Sequence, residues 1–296
     1  MRGNGKKRMK TALYAYYPPI PHPQNGNRVV NIFALSLSAI FLYLAAAVSP
    51  IYRINSIAIS PKSILLLFGG LAVTLHALVL YQSMLTPLGL NLGFFNAASL
   101  IAWVIALLLL LSLPRQPIDN LTIILFPLAA LTIGLDGYFH TERIFSPETE
   151  WGVRLHIFCS ILAYSFLSIS ALQALFLSLQ DYQLRHKRPG WVMRKLPPLQ
   201  VMETLLFQMI ALGFGLLSLS LISGIVFLDD LFAQHLVHKT VLSILAWCVF
   251  AVLLWGRIRY GWRGRTAIRW NISGFLVLML AYFGSKLVLE LILHRL

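Results

Sequence analysis

The fold of this chain is decided by EWGVRLHIFCSILAYSFLSISALQALFLSLQDYQLRHKR, residues 150–188. Its apolar part is long enough to cross a bilayer, since a helix of about 20 residues rising 1.5 Å per residue spans the hydrocarbon core. His156 lies at one end of the apolar run, and a basic cluster from Arg185 to Arg188 lies at the other. The stretch therefore predicts a membrane helix with a histidine near one membrane surface and positive charge at the other.

The composition indicates an integral membrane protein. Of the 296 residues, 58% are hydrophobic and only 11% are charged, whereas a soluble domain carries about 25% charged residues. The net charge is +14, but the basic residues cluster in short loops, which is typical of membrane topology and of contact with lipid headgroups. Nucleic-acid binding is excluded as a function, because it needs a basic face on a soluble domain.

Eight apolar runs predict an all-α fold, a polytopic membrane bundle of about eight transmembrane helices. The connections between them are short, so residues 29–296 are predicted to form a single transmembrane domain. Residues 1–28 are basic and lack apolar periodicity, and we expect either a disordered tail or sequence upstream of the native start. The runs are Val29–Val48, Ser63–Leu80, Gly93–Leu113, Leu121–Leu135, Leu155–Leu179, Thr204–Leu228, Val241–Ile258 and Ile272–Leu293.

Lysine and arginine counts predict the orientation, because short cytoplasmic loops are enriched in these residues. The loops on one side of the runs carry 13 of them and those on the other side carry 5, with six more in the tail. We expect the first set to be cytoplasmic and both ends of the body to face the periplasm, although the tail favours the opposite orientation. His140, His156, His235 and His238 then all lie on the outward side.

Two histidines on different runs are candidate metal ligands. His76 lies within the second run, and polar residues inside a membrane tend to face the bundle interior. His156 begins the fifth run from the same surface, so both are expected at a similar depth. Neutral imidazole is a common haem ligand and bundle interiors hold such sites, so His76 and His156 could be axial ligands of one haem iron. The alternative is that each histidine only hydrogen-bonds to a neighbouring helix.

His238 opens the seventh run beside Lys239, at the same surface. It is a candidate third residue on the haem side or a gate, and alternatively a solvated loop end. The pair Asp229 and Asp230 follows the sixth run and is more typical of the end of an apolar helix than of acid–base catalysis. The sequence has no nucleophile elbow and no nucleotide-binding glycine motif, so no enzymatic site is predicted.

Two further patterns have structural interpretations. Small residues at helical spacing in the sixth run, Gly213 to Gly224, predict close helix packing. Aromatic residues and arginines mix in WGRIRYGWRGRTAIRW, residues 255–270, as in an aromatic belt beside cytoplasmic charge.

Five segments resemble the cytochrome c assembly family, the CcsA/CcmC-type haem-handling membrane proteins, and within it the YpjD/HemX-like branch. The resemblance extends with gaps from Asn91 to Val288 and implies haem handling or cytochrome biogenesis in a bacterial inner membrane. It also implies that His156, ahead of the pair Ala163-Tyr164, corresponds to an outward-facing haem ligand of the family. The segments are NLGFFNAASLIAW (91–103), RLHIFCSILAYSFLSISALQAL (154–175), LGFGLLSLSLISGIVF (212–227), HKTVLSILAWCVFAVLLWGRIRYGWRGRTA (238–267) and AYFGSKLV (281–288).

The chain departs from the family pattern at one loop. Haem-handling members carry a tryptophan-rich loop ending in Trp-Asp before the helix that corresponds to the seventh run. Here the loop and helix read FLDDLFAQHLVHKTVLSILAW, residues 227–247, without a tryptophan before Trp247. Trp255 also stands where some relatives have a membrane histidine. The resemblance therefore favours a haem-binding or regulatory relative over an enzyme that attaches haem to apocytochrome c.

Two functional hypotheses follow. In the first, the chain binds haem through His76 and His156, with His238 as a further candidate, and assists cytochrome c-type biogenesis beside an apocytochrome or a membrane protein partner. In the second, it is an accessory subunit or regulator of a transporter or a tetrapyrrole-pathway enzyme, without a cofactor.

Overall fold

The computed structural model describes residues 26–50, 60–87, 89–139, 144–145, 150–186, 197–227 and 237–284. These residues form eight α-helices, of which six, α2 to α7, are long and apolar enough to cross a membrane. The predicted all-α membrane bundle is confirmed, and the predicted tail lies outside the described residues except for its last three, which begin α1. The helices are α1 (Gly26–Val48), α2 (Pro61–Met84), α3 (Phe94–Ser112), α4 (Asp119–Tyr138), α5 (Trp151–Arg185), α6 (Leu199–Phe227), α7 (Val237–Tyr260) and α8 (Gly264–Met279).

Local sequence signals set several helix boundaries. Ser60 caps α2 by accepting the backbone N–H of Ser63 over 3.1 Å, and Pro61 occupies the first helical position, where its missing N–H costs nothing. Gly261 and Gly264 bracket the tight turn between α7 and α8, with φ values of 65° and 53° that favour glycine. A π-helix, Leu280–Gly284, directly follows α8.

The helices pack as two neighbouring groups. In the first, α1 contacts α2 and α4, while α3 contacts the same two helices. In the second, α5 and α6 form the most extensive helix pair of the molecule, and α8 packs on both α5 and α7. Contacts between α3 and α5 join the groups. The apolar core runs through both of them, from Tyr43 on α1 to Leu278 on α8.

A small antiparallel sheet connects two loops on the predicted outward side. Strand β1 (Leu85–Thr86) pairs with β2 (Gly89–Asn91), and β2 pairs with β3 (Ile144–Phe145). In its register, Leu90 faces Leu85 on one side and Phe145 on the other. The sheet holds the α2–α3 loop against the α4–α5 loop, and it was not predicted, because strands of two or three residues show no alternating pattern.

Ion pairs tie the opposite end of the second group together. Arg257 on α7 lies 3.1 Å from Glu203 on α6, and its guanidinium stacks over the Phe207 ring at 4.5 Å. Arg265 on α8 lies 3.0 Å from Asp181 on α5. Arginines of the 255–270 segment therefore join helices as well as carrying the charge expected at the cytoplasmic border.

Candidate functional site

A cavity of about 370 Å³ lies at the border of the two helix groups, a size typical of small-molecule sites. Its walls come mainly from α5, α6, α7 and the π-helix, with Leu92 and Ile101 contributed by the first group. Most of the lining is apolar. The polar lining residues are His156, Ser160, Tyr164, Ser220, Lys239, Thr240, Ser243 and Tyr282.

His156 lines this cavity in a defined orientation. Its Nδ1 lies 2.8 Å from the backbone carbonyl oxygen of Ser220 on α6. A carbonyl oxygen can only accept a hydrogen bond, so Nδ1 donates and carries the ring proton. In the neutral ring, Nε2 then carries the lone pair, and none of the described residues forms a hydrogen bond with it. Histidines that bind metals commonly have this arrangement, with the second ring N–H held by a carbonyl or carboxylate.

Two serines connect α5 and α6 beside the hydrogen bond of His156. The Ser160 hydroxyl donates to the His156 backbone carbonyl over 2.6 Å, and the Ser160 and Ser220 hydroxyl oxygens are 2.6 Å apart. Ser220 and Gly213 of the small-residue stripe thus lie in close contact with α5, as the prediction of close packing requires, whereas Gly215 of the stripe is exposed on the other side of α6. The role of the stripe in orienting His156 could not be predicted, because a backbone carbonyl acceptor gives no signal in residue type.

The far wall of the cavity contains the π-helix. Ala281 and Tyr282 both lie in this segment and both line the cavity. The ring centroids of Tyr282 and Tyr164 are 5.9 Å apart. Single-turn π-helices are rare in proteins. Those that occur are often found at functional sites, where the extra residue in the turn redirects a side chain. The residue pattern did not predict a π-helix here, because these residues continue the apolar pattern of α8, although Ala281 and Tyr282 belong to one of the segments that resemble the family.

His76 occupies a different position, inside the first helix group. Its side chain is fully buried, with Nδ1 3.2 Å from the Tyr43 hydroxyl on α1 and Nε2 3.0 Å from the Ser99 hydroxyl on α3. Both ring nitrogens therefore have hydrogen-bond partners, and His76 does not line the cavity that contains His156. These contacts match the alternative interpretation of His76, in which the histidine only hydrogen-bonds to neighbouring helices. Haem ligation by His76 stays a prediction.

His238 belongs to the first turn of α7, and its side chain is outside the described residues. The next residue, Lys239, lines the cavity. His140 and His235 also lie outside the described residues. Within the part of the chain that the structure describes, no three His, Cys, Asp or Glu side chains group into a site for a metal ion. A haem iron needs only one or two protein ligands, so individual histidines remain the candidate haem ligands.

Comparison with known proteins places the chain in a family. The family model described as cytochrome C assembly protein matches residues 64–293. The chain is 36% identical over 224 residues to inner membrane protein YpjD of Escherichia coli K12, covering 75% of this chain and 85% of that protein. It is 24% identical over 217 residues to protein HemX of Brevibacillus brevis, with 71% of each covered. It is also 30% identical over 146 residues to cytochrome c biogenesis protein CcsA of Chlamydomonas reinhardtii, covering 48% of this chain and 40% of that one.

No solved structure matches the chain significantly. The family model covers most of the chain, from the start of α2 to beyond the π-helix, and so includes every described residue that lines the cavity. The bundle of apolar helices and these matches lead to the same conclusion: the chain is a multi-pass membrane protein of the cytochrome c assembly family.

Proposed function

We propose that this chain is a bacterial inner-membrane haem-binding protein that assists cytochrome c-type biogenesis, and that His156 contacts the haem iron. The observation that carries the proposal is the hydrogen bond from Nδ1 of His156 to the carbonyl of Ser220, which leaves the lone pair of the neutral ring on Nε2 in a side chain that lines the cavity. The inner-membrane location and the biogenesis role are supported by the similarity to inner membrane protein YpjD and to cytochrome c biogenesis protein CcsA.

The residues around the cavity fit a haem. A porphyrin is large and mostly apolar, and this lining is mostly leucine, isoleucine, valine and alanine. A partly buried imidazole with its other nitrogen hydrogen-bonded would be a suitable ligand of the iron, because the ring is already oriented and in the tautomer that binds metals. Bound haem would supply a redox-active iron, while the chain itself supplies the ligand and excludes water around it.

Two further histidines could provide a second ligand to the iron. His238 is a candidate because its neighbour Lys239 lines the cavity. His76 is the other candidate from sequence, but it would first have to give up its hydrogen bond to Tyr43 or to Ser99. A site with His156 as its one protein ligand is compatible with a protein that holds haem in transit.

The proposed orientation puts the His156 end of the cavity at the periplasmic surface, because the basic loops lie at the opposite end of α5. Single cysteines at Glu150 and His186, in a chain without Cys159 and Cys248, test this. In intact cells of a strain with a permeable outer membrane, an impermeant maleimide should label position 150 and leave position 186 unlabelled. The reverse labelling would contradict the orientation.

An absorption spectrum of the purified protein tests haem binding. Wild-type protein from haem-replete cells should show a Soret band, and His156→Ala should lose or shift it. His186→Ala is the matched control, because His186 is exposed and lies at the other end of the same helix. Haem-free wild-type protein from such cells would refute the proposal. Spectra of His76→Ala and His238→Ala then decide which of the two completes the coordination.

A second candidate function is a membrane accessory subunit or regulator without a cofactor. The buried contacts of His76 favour it, since they give this histidine a structural role that needs no haem. In that case both His156→Ala and His76→Ala preparations would match the wild-type spectrum, and a membrane protein partner would co-purify with each of them.

A further inference from the structure

We infer that the cavity takes a ligand with an apolar body and a terminal carboxylate, and that Lys239 binds that carboxylate. The inference rests on the proposed function and deepens it, because haem carries two propionate carboxylates on an apolar ring. It assigns a recognition role to a residue that sequence reasoning treated only as the neighbour of His238.

The charge of the cavity lining is the first argument. Lys239 is the one charged residue among the described residues that line the cavity, and neither aspartate nor glutamate is among them. A carboxylate that enters a mostly apolar cavity must find a positive charge or hydrogen-bond donors to offset its loss of water. Lysine supplies both, and the hydroxyls of Thr240 and Ser243 lie on the same helix along the cavity wall.

The position of Lys239 is the second argument. Lys239 is the third residue of α7 and so lies in its first turn. At this end of a helix the backbone N–H groups point outward and the helix dipole favours anions. The Lys239 side chain is half-buried, and a charge pair at such a position is screened less than a pair that is fully exposed to water.

The directions of the helices determine where His156 and Lys239 lie along the cavity. The side-chain contacts of α6 with α5 and with α7 show that α6 is antiparallel to both. His156 near the start of α5 and Lys239 at the start of α7 therefore lie toward one end of the bundle. That end of the cavity therefore holds both His156 and Lys239, the one imidazole and the one amine among the described lining residues. A mostly apolar ligand whose iron is held by His156 would have its carboxylate within the same end of the cavity as Lys239.

Haem and its dimethyl ester are the probes that test the inference, because esterification removes both carboxylate charges and keeps the porphyrin and the iron. Haem-free protein in neutral detergent is titrated with each, and the Soret band reports binding. Wild-type protein should bind haem about 10- to 100-fold more tightly than the ester, the range expected for a hydrogen-bonded charge pair. Lys239→Gln should weaken haem binding by the same factor and leave ester binding within about threefold.

Two further variants control for charge and fold. Lys239→Arg keeps the charge and should retain the preference for haem. Arg154→Gln removes one positive charge at the same end of α5 from a residue outside the cavity lining, and should leave both affinities within about threefold. A comparable loss of haem affinity in Arg154→Gln would assign the effect to surface charge and would overturn the inference.

The failures of the two proposals are distinguishable. If wild-type protein binds haem and its ester equally well, carboxylate recognition by Lys239 is wrong, and haem binding at His156 stands. This comparison needs only the wild-type chain, so a variant that fails to fold does not affect it. If wild-type protein binds neither probe, both proposals are wrong.

Discussion

The Nδ1 atom of His156 donates a hydrogen bond to the backbone carbonyl of Ser220 over 2.8 Å, across the α5–α6 interface. The acceptor belongs to the main chain of α6, so the orientation of the imidazole depends on how closely the two helices pack. The Ser220 hydroxyl lies farther from the same nitrogen, at 3.5 Å, and is instead paired with Ser160 at 2.6 Å. The site residue is therefore positioned by the most extensive helix pair in the molecule.

Replacing Ser220 by alanine should leave the haem spectrum and affinity unchanged within about twofold, because the carbonyl acceptor of His156 remains. The variant loses the hydroxyl pair with Ser160, which should cost about 1 kcal/mol of unfolding free energy. Haem titration and unfolding of the protein in detergent measure the two effects separately.

His156→Ala is the reference for this experiment, since it removes the ligand itself. If Ser220→Ala lost haem binding to the same extent as His156→Ala, the hydroxyl at 3.5 Å would be the orienting group, and the carbonyl would not be.

A structural role for His76 predicts a large stability effect. His76→Ala should lower the unfolding free energy by roughly 2–4 kcal/mol, because it opens a cavity and leaves the hydroxyls of Tyr43 and Ser99 without their partner. Tyr43→Phe removes one of the two hydrogen bonds and keeps the ring, so it should cost about 1 kcal/mol. The measurement is unfolding in mixed detergent micelles.

The double variant shows whether the two residues act through their contact. When His76 is already alanine, Tyr43→Phe should cost clearly less than it does in the wild-type chain, as expected for directly coupled residues. Strictly additive effects would indicate that the 3.2 Å contact contributes nothing to stability.

Residue patterns predicted the helices and the position of His156 near the start of one of them, but not what surrounds this histidine. Long apolar runs decide helices in a bilayer, because the backbone must satisfy its own hydrogen bonds there, and a histidine at the boundary of a run must lie near the membrane surface. The partners of His76 could not be predicted, since Tyr43 and Ser99 are 33 and 23 positions away and meet it only through helix packing. The place of Lys239 in the cavity wall could not be predicted either, because the sequence puts this residue at a helix start without showing which side of the helix it faces.

The ion pair between Arg257 and Glu203 should contribute more to the unfolding free energy than the more exposed pair between Arg263 and the same glutamate. The Arg257 side chain is 25% exposed and that of Glu203 is 15% exposed, so removing the arginine leaves a largely buried carboxylate without its closest partner. Arg257→Ala should cost about 2–4 kcal/mol of unfolding free energy, including the lost contact with the Phe207 ring.

Arg263 provides the matched comparison. It lies 3.7 Å from the same Glu203 oxygen, but its side chain is 70% exposed. Arg263→Ala should therefore change the unfolding free energy by less than about 1 kcal/mol. Equal effects of the two substitutions would show that Glu203 is stabilised by overall positive charge at this end of the bundle, with no specific pairing to Arg257.

Close packing of α5 on α6 should make Gly213 intolerant of a methyl group. A Cβ atom there would lie 2.7 Å from Cγ of Leu167 and 3.3 Å from the Leu167 backbone nitrogen, so the side chain cannot simply rotate away. Gly213→Ala should therefore cost about 1–3 kcal/mol of unfolding free energy. Because the same interface orients His156, haem affinity should fall as well. Both are measured in detergent, by unfolding and by titration of the Soret band.

Gly215 is the control on the opposite face of the same helix. A Cβ atom there meets nothing within 4 Å, and alanine has a higher helix propensity than glycine, so Gly215→Ala should be neutral or stabilising by up to about 1 kcal/mol. The two variants add the same methyl group two residues apart, so backbone propensity cancels in the comparison and only the contact with Leu167 differs. Equal stability of the two variants would mean that α5 and α6 can move apart without cost, and the argument that their packing orients the His156 ring would fail.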